Sequence, residues 1–224
     1  MKRAKYICLE GTECVGKTTQ AQKLVDSLRS MGYSVLQTKE PGTSMIPLTM
    51  LLRGLMLDNQ YDEIITRPAR EYISQAIRSI HLEKLIVPAL SEYDFIIQDR
   101  GILSGYAYGG ACGNRFNDMY LMTLQNVDSA DEGKNILPLV PEHIYDHVVY
   151  LKGNISKGLE KAKSSKQEFA TGDAMESRGY DFLNNVSRDM DDKAIRFKTV
   201  TIDVDDKSID EVHNEILAKL GLRK

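Results

Sequence analysis

Short apolar runs rich in β-branched and aromatic residues recur at Tyr6–Leu9, Ser34–Thr38, Phe95–Gln98, Val148–Leu151 and Thr199–Ile202. Each has the length of a strand buried on both faces. Between them the apolar positions change to helical spacing, at Lys17–Met31, Arg67–Glu92, Asn117–Val127, Ile155–Lys163, Tyr180–Phe197 and Ile209–Leu220. In the first of these, Leu24, Val25, Leu28 and Met31 share one face, and Gly32 ends it. Strands alternating with helices predict an α/β fold of three layers, a five-stranded parallel sheet between helices. With 224 residues the chain is long enough for one such domain, spanning 1–224. Ligands of these sheets bind beyond the carboxyl ends of the strands. Glu13 and Lys17 follow the first strand, Glu40 the second, and Asp99 and Arg100 the third.

Residues Gly11 to Thr18 read G-T-E-C-V-G-K-T, a full match to the P-loop pattern G-x-x-x-x-G-K-[ST]. A strand precedes it and a helix follows, which is the setting the motif requires. The loop supplies Gly11, Cys14, Val15, Gly16, Lys17, Thr18 and Thr19 to a nucleotide's phosphates. Backbone N–H groups and the helix dipole face the anion. Lys17 adds a charge at the transferring phosphoryl group, and the Thr18 hydroxyl reaches Mg²⁺. The third run ends in Asp99-Arg100, a carboxylate for the metal beside a planar cation that can clamp a phosphate.

Composition narrows the field. Hydrophobic residues make up 42% and charged ones 27%, with a net charge of −3, an ordinary globular balance without the footprint of a nucleic-acid binder. Cys8, Cys14 and Cys112 are too few and too unpatterned for a disulfide framework or a zinc site, and fit a reducing, cytoplasmic compartment. Cys14 lies within the phosphate loop, where its oxidation would obstruct the site. The basic start Met1–Lys5 leads only into a short apolar run, so neither a signal peptide nor a membrane span is expected. The guanine-reading N-K-x-D of GTPases is absent, as is the apolar block ending in Asp-Glu of ATPase motors. Two polar stretches stand out, Asp128–Asn135 and Lys163–Glu176; the second has the place of a lid.

Five segments together resemble the thymidylate kinase family over nearly the whole chain. They are L-E-G-T-E-C-V-G-K-T-T at the P-loop, T-K-E-P-G-T (Thr38–Thr43), L-R-G-L-M-L-D (Leu52–Asp58), the helix from Arg78 to Leu90, and D-R-G-I-L-S-G-Y-A-Y-G-G (Asp99–Gly110). The resemblance implies transfer of the γ-phosphoryl group of ATP, with Mg²⁺, to a deoxynucleoside monophosphate, dTMP by default, in a homodimer. It implies that Glu13 accepts from the acceptor's 3′-hydroxyl and that Arg53 and Arg100 hold its phosphate. Arg78 would reach the base, Ser104 would lie in the acceptor site with Glu40 and Pro41, and Tyr108 would pack where a 2′-hydroxyl would sit. Thr18 and Asp99 would serve the metal.

Two departures bear on chemistry. The loop interior Thr12–Val15 holds no base, so the extra cation should come from the lid at about 163–176, from Lys161, Lys163 or Lys166. The family's lid arginine is Ala174 here. The phenylalanine that stacks on thymine falls at Ser74, and the glutamine of A-Y-Q-G at Gly109. Tyr61, Tyr72 and Tyr106 are the candidates to replace the stack, and a wider acceptor range is the alternative. A nucleotide-binding protein without turnover is a second alternative. A nucleoside kinase would not need both Arg53 and Arg100.

Overall fold

The computed structural model describes residues 3–114, 144–158, 160 and 174–222. Its five strands are β1 (Lys5–Glu10), β2 (Val35–Lys39), β3 (Phe95–Asp99), β4 (His147–Lys152) and β5 (Val200–Asp203). They form one sheet in the order β2-β3-β1-β4-β5 with every pairing parallel. The expected strands are all present, each displaced or lengthened by a residue or two. From β1 the chain crosses to β2 on one side, returns to β3, and later crosses to β4 on the other. The direction of crossing reverses at β1 and β3, and a crevice at their carboxyl ends is the place for a ligand. The register sets Leu9, Asp99 and Lys39 side by side at that edge.

Alternation along the strands separates two cores. Tyr6, Cys8, Ile96, Val148 and Tyr150 face one layer. Ile7, Leu9, Ile97, Val149 and Leu151 face the other. The second is covered by α1 (Lys17–Ser30), through Leu24, Val25 and Leu28, and by a C-terminal helix over Ile209–Lys219, through Val212 and Ile216. That last helix begins with a capping box of Ser208 and Glu211.

Two helices that the hydrophobic pattern did not announce lie on the site side of the sheet, α2 (Pro47–Leu57) and α5 (Ile102–Ala111). The expected helix over Arg67–Glu92 is divided. It runs as α3 (Arg67–His81), a π-helical turn at Leu82–Ile86, and α4 (Val87–Glu92). Pro88 lacks the N–H that would bond to the carbonyl of Lys84, which is reason enough for the regular ladder to give way just before it. The helix expected at Tyr180–Phe197 is α6 (Gly179–Arg196), and the Ile209–Lys219 helix is α7. Residues 155–158 are helical as expected. The expectations at Asn117–Val127 and Asp128–Asn135, and for the lid apart from Ala174–Glu176, lie outside the described residues.

Leu24 is fully buried between α1 and the sheet. Replacing it with Ala should cost about 2–5 kcal/mol. A lowered denaturant midpoint with an unchanged slope would report that loss.

Candidate functional site

The phosphate loop is shaped by backbone that only some residues accept. Gly11 has φ +148°, and a Cβ there would lie 2.4 Å from the carbonyl oxygen of Leu151. Gly16, at the N-cap of α1, has φ +91°. Cys14 is held at φ 51° and Arg100 at φ 63°, strained values for residues with side chains and typical of a site that needs a fixed geometry. The first turn of α1 carries no acidic residue and no side-chain cap. Its N–H groups are left to face an anion.

Lys17 is buried and donates to the carbonyl oxygen of Thr12. Burial, reinforced by the neighbouring Arg100 charge, pulls its pKa down to about 8. Thr18 Oγ1 donates to Asp99 Oδ2 at 2.5 Å, and Asp99 Oδ1 is buried with no hydrogen-bond partner among the described residues. A hydroxyl beside an unsatisfied carboxylate oxygen fits Mg²⁺, which takes few protein oxygens and completes its shell with water and phosphate.

A second cavity opens beside the loop, between α2, α3 and α5. It is lined by Glu13, Glu40, Pro41, Arg53, Ser74, Arg78, Arg100, Ser104 and Tyr108, all expected from the sequence, and also by Arg70, Glu71, Cys112 and Met175. Arg100 joins this cavity to the P-loop. Its Nη1 donates to the Gly11 carbonyl at 3.0 Å, and its Nη2 meets Glu13 Oε1 at 2.5 Å. Burial opposes its charge, but Glu13, Tyr108 and Asp99 together hold its pKa well above the usual arginine value. The Tyr108 hydroxyl donates to the same Glu13 oxygen at 2.8 Å, and the Arg100 guanidinium stands 5.4 Å from the Tyr108 ring centre. Arg53 Nη1 donates to the Pro41 carbonyl at 3.0 Å.

Glu40 and Arg78 were expected in the site, but His81 and Glu10, which hold it together, were not. Glu40 is buried against Arg78, which donates from Nε at 3.0 Å and pairs through Nη2 at 2.9 Å. His81 Nδ1 lies 3.2 Å from the other Glu40 oxygen, and its Nε2 lies 2.8 Å from Thr38 Oγ1. Burial works to raise the Glu40 pKa, but Arg78 and His81 outweigh it and hold the carboxyl below its ordinary value. Glu10, at the end of β1, accepts from the backbone N–H groups of Gly101 at 2.8 Å and Ser104 at 3.1 Å, and from the Ser104 hydroxyl. It thereby fastens the start of α5 to β1. Burial raises its pKa in spite of those bonds.

The tyrosines expected to replace the missing ring do not line the cavity. Tyr106 is in the core beside Phe197, and Tyr72 is 59% exposed on the far side of α3. Tyr61 is also absent from the lining. Lys161, Lys163 and Lys166 lie outside the described residues. On the other side of the loop, Cys14, Val15, Gly16 and Thr19 border a cavity shared with Asn154, Lys157 and Val204–Lys207, beyond β4 and β5.

A sequence model described as thymidylate kinase matches residues 9–216. The chain belongs to the thymidylate kinase family. Relatives bearing that name include one from Halothermothrix orenii, 30% identical over 219 residues that cover 97% of each chain. Another, from a Psychrobacter species, is 33% identical over 186 residues, 83% of this chain and 81% of its own. The match to the Bordetella petrii enzyme is 41% identical over 108 residues and spans about half of that relative, 49%. The crystal structure of thymidylate kinase from Ehrlichia chaffeensis has the same fold, with a TM-score of 0.66 at 20% identity, covering 98% of this chain and 99% of that one. Family membership agrees with a phosphate loop and a second cavity meeting at one arginine.

The depressed Lys17 has a measurable consequence. An ordinary lysine keeps its proton to about pH 10.4. Lys17 should release its proton as pH rises through about 8, so ATP binding measured calorimetrically should be constant below pH 7 and weaken above 8. Between about 8 and 10.5 the unfolded chain holds more protons than the folded one, so this group alone makes the free protein's stability rise with pH there. Affinity that stays flat to pH 9.5 would exclude the shift.

Proposed function

We propose that this protein transfers the γ-phosphoryl group of ATP to dTMP, giving ADP and dTDP. The observation that carries the reading is the position of Arg100 and Glu13. One guanidinium bonds both the phosphate loop and the carboxylate at the mouth of the second cavity. Two phosphate-bearing molecules brought together here would meet fixed cations from different elements, Lys17, Arg53 and Arg100. Such transfers depend chiefly on alignment and on neutralising charge.

In this reading ATP lies with its phosphates on Gly11–Thr19 and its base toward Asn154 and Val204–Lys207. Arg53 and Arg100 hold the acceptor phosphate. Glu13 accepts from the 3′-hydroxyl, and Tyr108, already bonded to Glu13, fills the space beside the sugar so that a ribose 2′-hydroxyl is disfavoured. Thr18 and Asp99 would hold Mg²⁺, which would supply neutralisation of the phosphates' charge. With no base in the loop interior, the remaining cation is assigned to the lid lysines, Lys163 and Lys166 foremost.

The proposed partner is a second copy of the chain. The apolar residues Ile77, Leu82 and Ile86 of the α3–α4 rod are core and offer no face for it. The better support is α2, where Leu48, Leu51 and Leu55 are 53%, 62% and 38% exposed on neighbouring turns.

A coupled ADP-release assay should show Mg²⁺-dependent turnover of dTMP exceeding that of dCMP, dAMP and dGMP, and none of thymidine. Glu13→Gln should lower kcat/KM for dTMP by about 10- to 100-fold, the loss of a charge-assisted hydrogen bond, with ATP binding kept. ATP binding without turnover of any monophosphate would overturn the kinase reading. Sedimentation should give a dimer, and Leu51→Glu a monomer.

A further inference from the structure

The base end of the acceptor cavity contains a carboxylate that phosphoryl transfer does not use. Glu71 lies on α3 one turn before Ser74 and two turns before Arg78, and all three line the cavity. Glu71 is only 6% exposed. Among the described residues its hydrogen-bond partner is Gln75, whose Nε2 donates to Oε1 at 2.8 Å. An ionised carboxylate has about four acceptor positions. One neutral amide leaves most of them unused, in a place largely shielded from water. Burying such a group is unfavourable unless something donates to it.

Among the other polar residues lining the cavity, Arg70 is engaged by the Met56 carbonyl and Asp62, and Asn114 donates from Nδ2 to the Arg67 carbonyl at 3.3 Å. Met56, Leu57, Cys112 and Met175 belong to one apolar cluster; they can lie against a flat ring but are weak hydrogen-bond partners. Gly105, which also borders the cavity, has no side chain to reach a base. Arg78 is drawn toward Glu40 by two of its nitrogens. No aromatic ring stands at Ser74.

We propose that Glu71 is the specificity-determining residue of the acceptor pocket, accepting a hydrogen bond from the N3–H of a pyrimidine base. This rests on the dTMP kinase reading. In dTMP the sugar occupies N1, so N3–H is the only N–H donor on the base. Neutral cytosine presents a lone pair at that atom, which a carboxylate repels. The contact supplies the spare donor that Glu71 needs, and it replaces selection by stacking with selection by one proton.

The test uses the full chain and two acceptors, dTMP and its N3-methyl analogue, which lacks that proton. The wild-type protein should favour dTMP in kcat/KM by about 10- to 100-fold. Glu71→Ala should bring the two acceptors to within about threefold, Glu71→Gln should fall between, and KM for ATP should not change. A merely structural Glu71 would weaken both acceptors together and leave their ratio intact, and that result overturns the proposal. Equal use of both acceptors by the wild-type protein overturns it too, whether or not the variants fold. Failure to turn over dTMP at all would remove the kinase reading beneath it, whereas good turnover with an indifferent ratio removes only the Glu71 contact.

Discussion

Charge buried at the carboxyl edge of the sheet is the constraint on which the rest of this structure depends. Glu10, Lys17, Glu40 and Arg78 are all buried there, and a buried charge is tolerated only when paired and hydrogen-bonded. The pairings cross elements. Glu10 binds β1 to the start of α5, Arg100 binds the end of β3 to the P-loop, and Glu40 binds the end of β2 to α3. In the buried Glu40–Arg78 ion pair, removing one partner leaves the other uncompensated, at a cost of about 3–5 kcal/mol. The phosphate loop, α3, the start of α5 and the Asp99–Arg100 corner are therefore fixed relative to one another before any substrate arrives.

That fixity is what the chemistry requires. Positioned groups lower a barrier only if they need not reorganise during the reaction. The strained Cys14 and Arg100, the close approach of Gly11 to Leu151, and the doubly engaged Glu13 oxygen all hold polar groups at set places. Lys17 illustrates the cost of the arrangement. Burial makes its charge harder to keep in the free protein, and a phosphate reverses that by supplying the missing negative partner. The same logic applies to the unsatisfied oxygen of Asp99, which a cation would satisfy.

How much of this was legible in the sequence followed from how local each signal is. The central strands β1, β3 and β4 are buried on both faces and read as continuous apolar runs, the partly exposed edge strands β2 and β5 still carry β-branched or apolar residues, and all five were found to within a residue or two. The P-loop is one contiguous motif whose neighbours confirm it. Two helices escaped because neither shows an apolar stripe against a polar face. In α2, Leu48, Leu51 and Leu55 are exposed while Thr49 is buried, and α5 carries Gly105, Gly109 and Gly110, poor helix formers that tertiary contact overrides. The Glu40–Arg78–His81 cluster was invisible as a cluster, since its members meet only when β2 and α3 come together. Glu10 looked like the end of an apolar run, and Glu71 like any surface acid on a helix.

If the second cavity takes a nucleoside monophosphate as proposed, its two ends answer to different physics, so one can change without the other. At the phosphate end, like charges must be brought together, and no arrangement without several fixed cations will do it. At the base end the ligand is neutral, and selection rests on contacts of modest size. Stacking a base on an aromatic ring is worth about 1–3 kcal/mol, and a hydrogen bond to a buried carboxylate about 1.5–3 kcal/mol. With Ser74 in place of a ring and Glu71 in reach, affinity can stay nearly constant while the property being read changes. A ring senses a flat surface, which every base has. A carboxylate senses a proton at one atom, and under the proposal Glu71, bonded among the described residues to the Gln75 amide, has acceptor positions left for it.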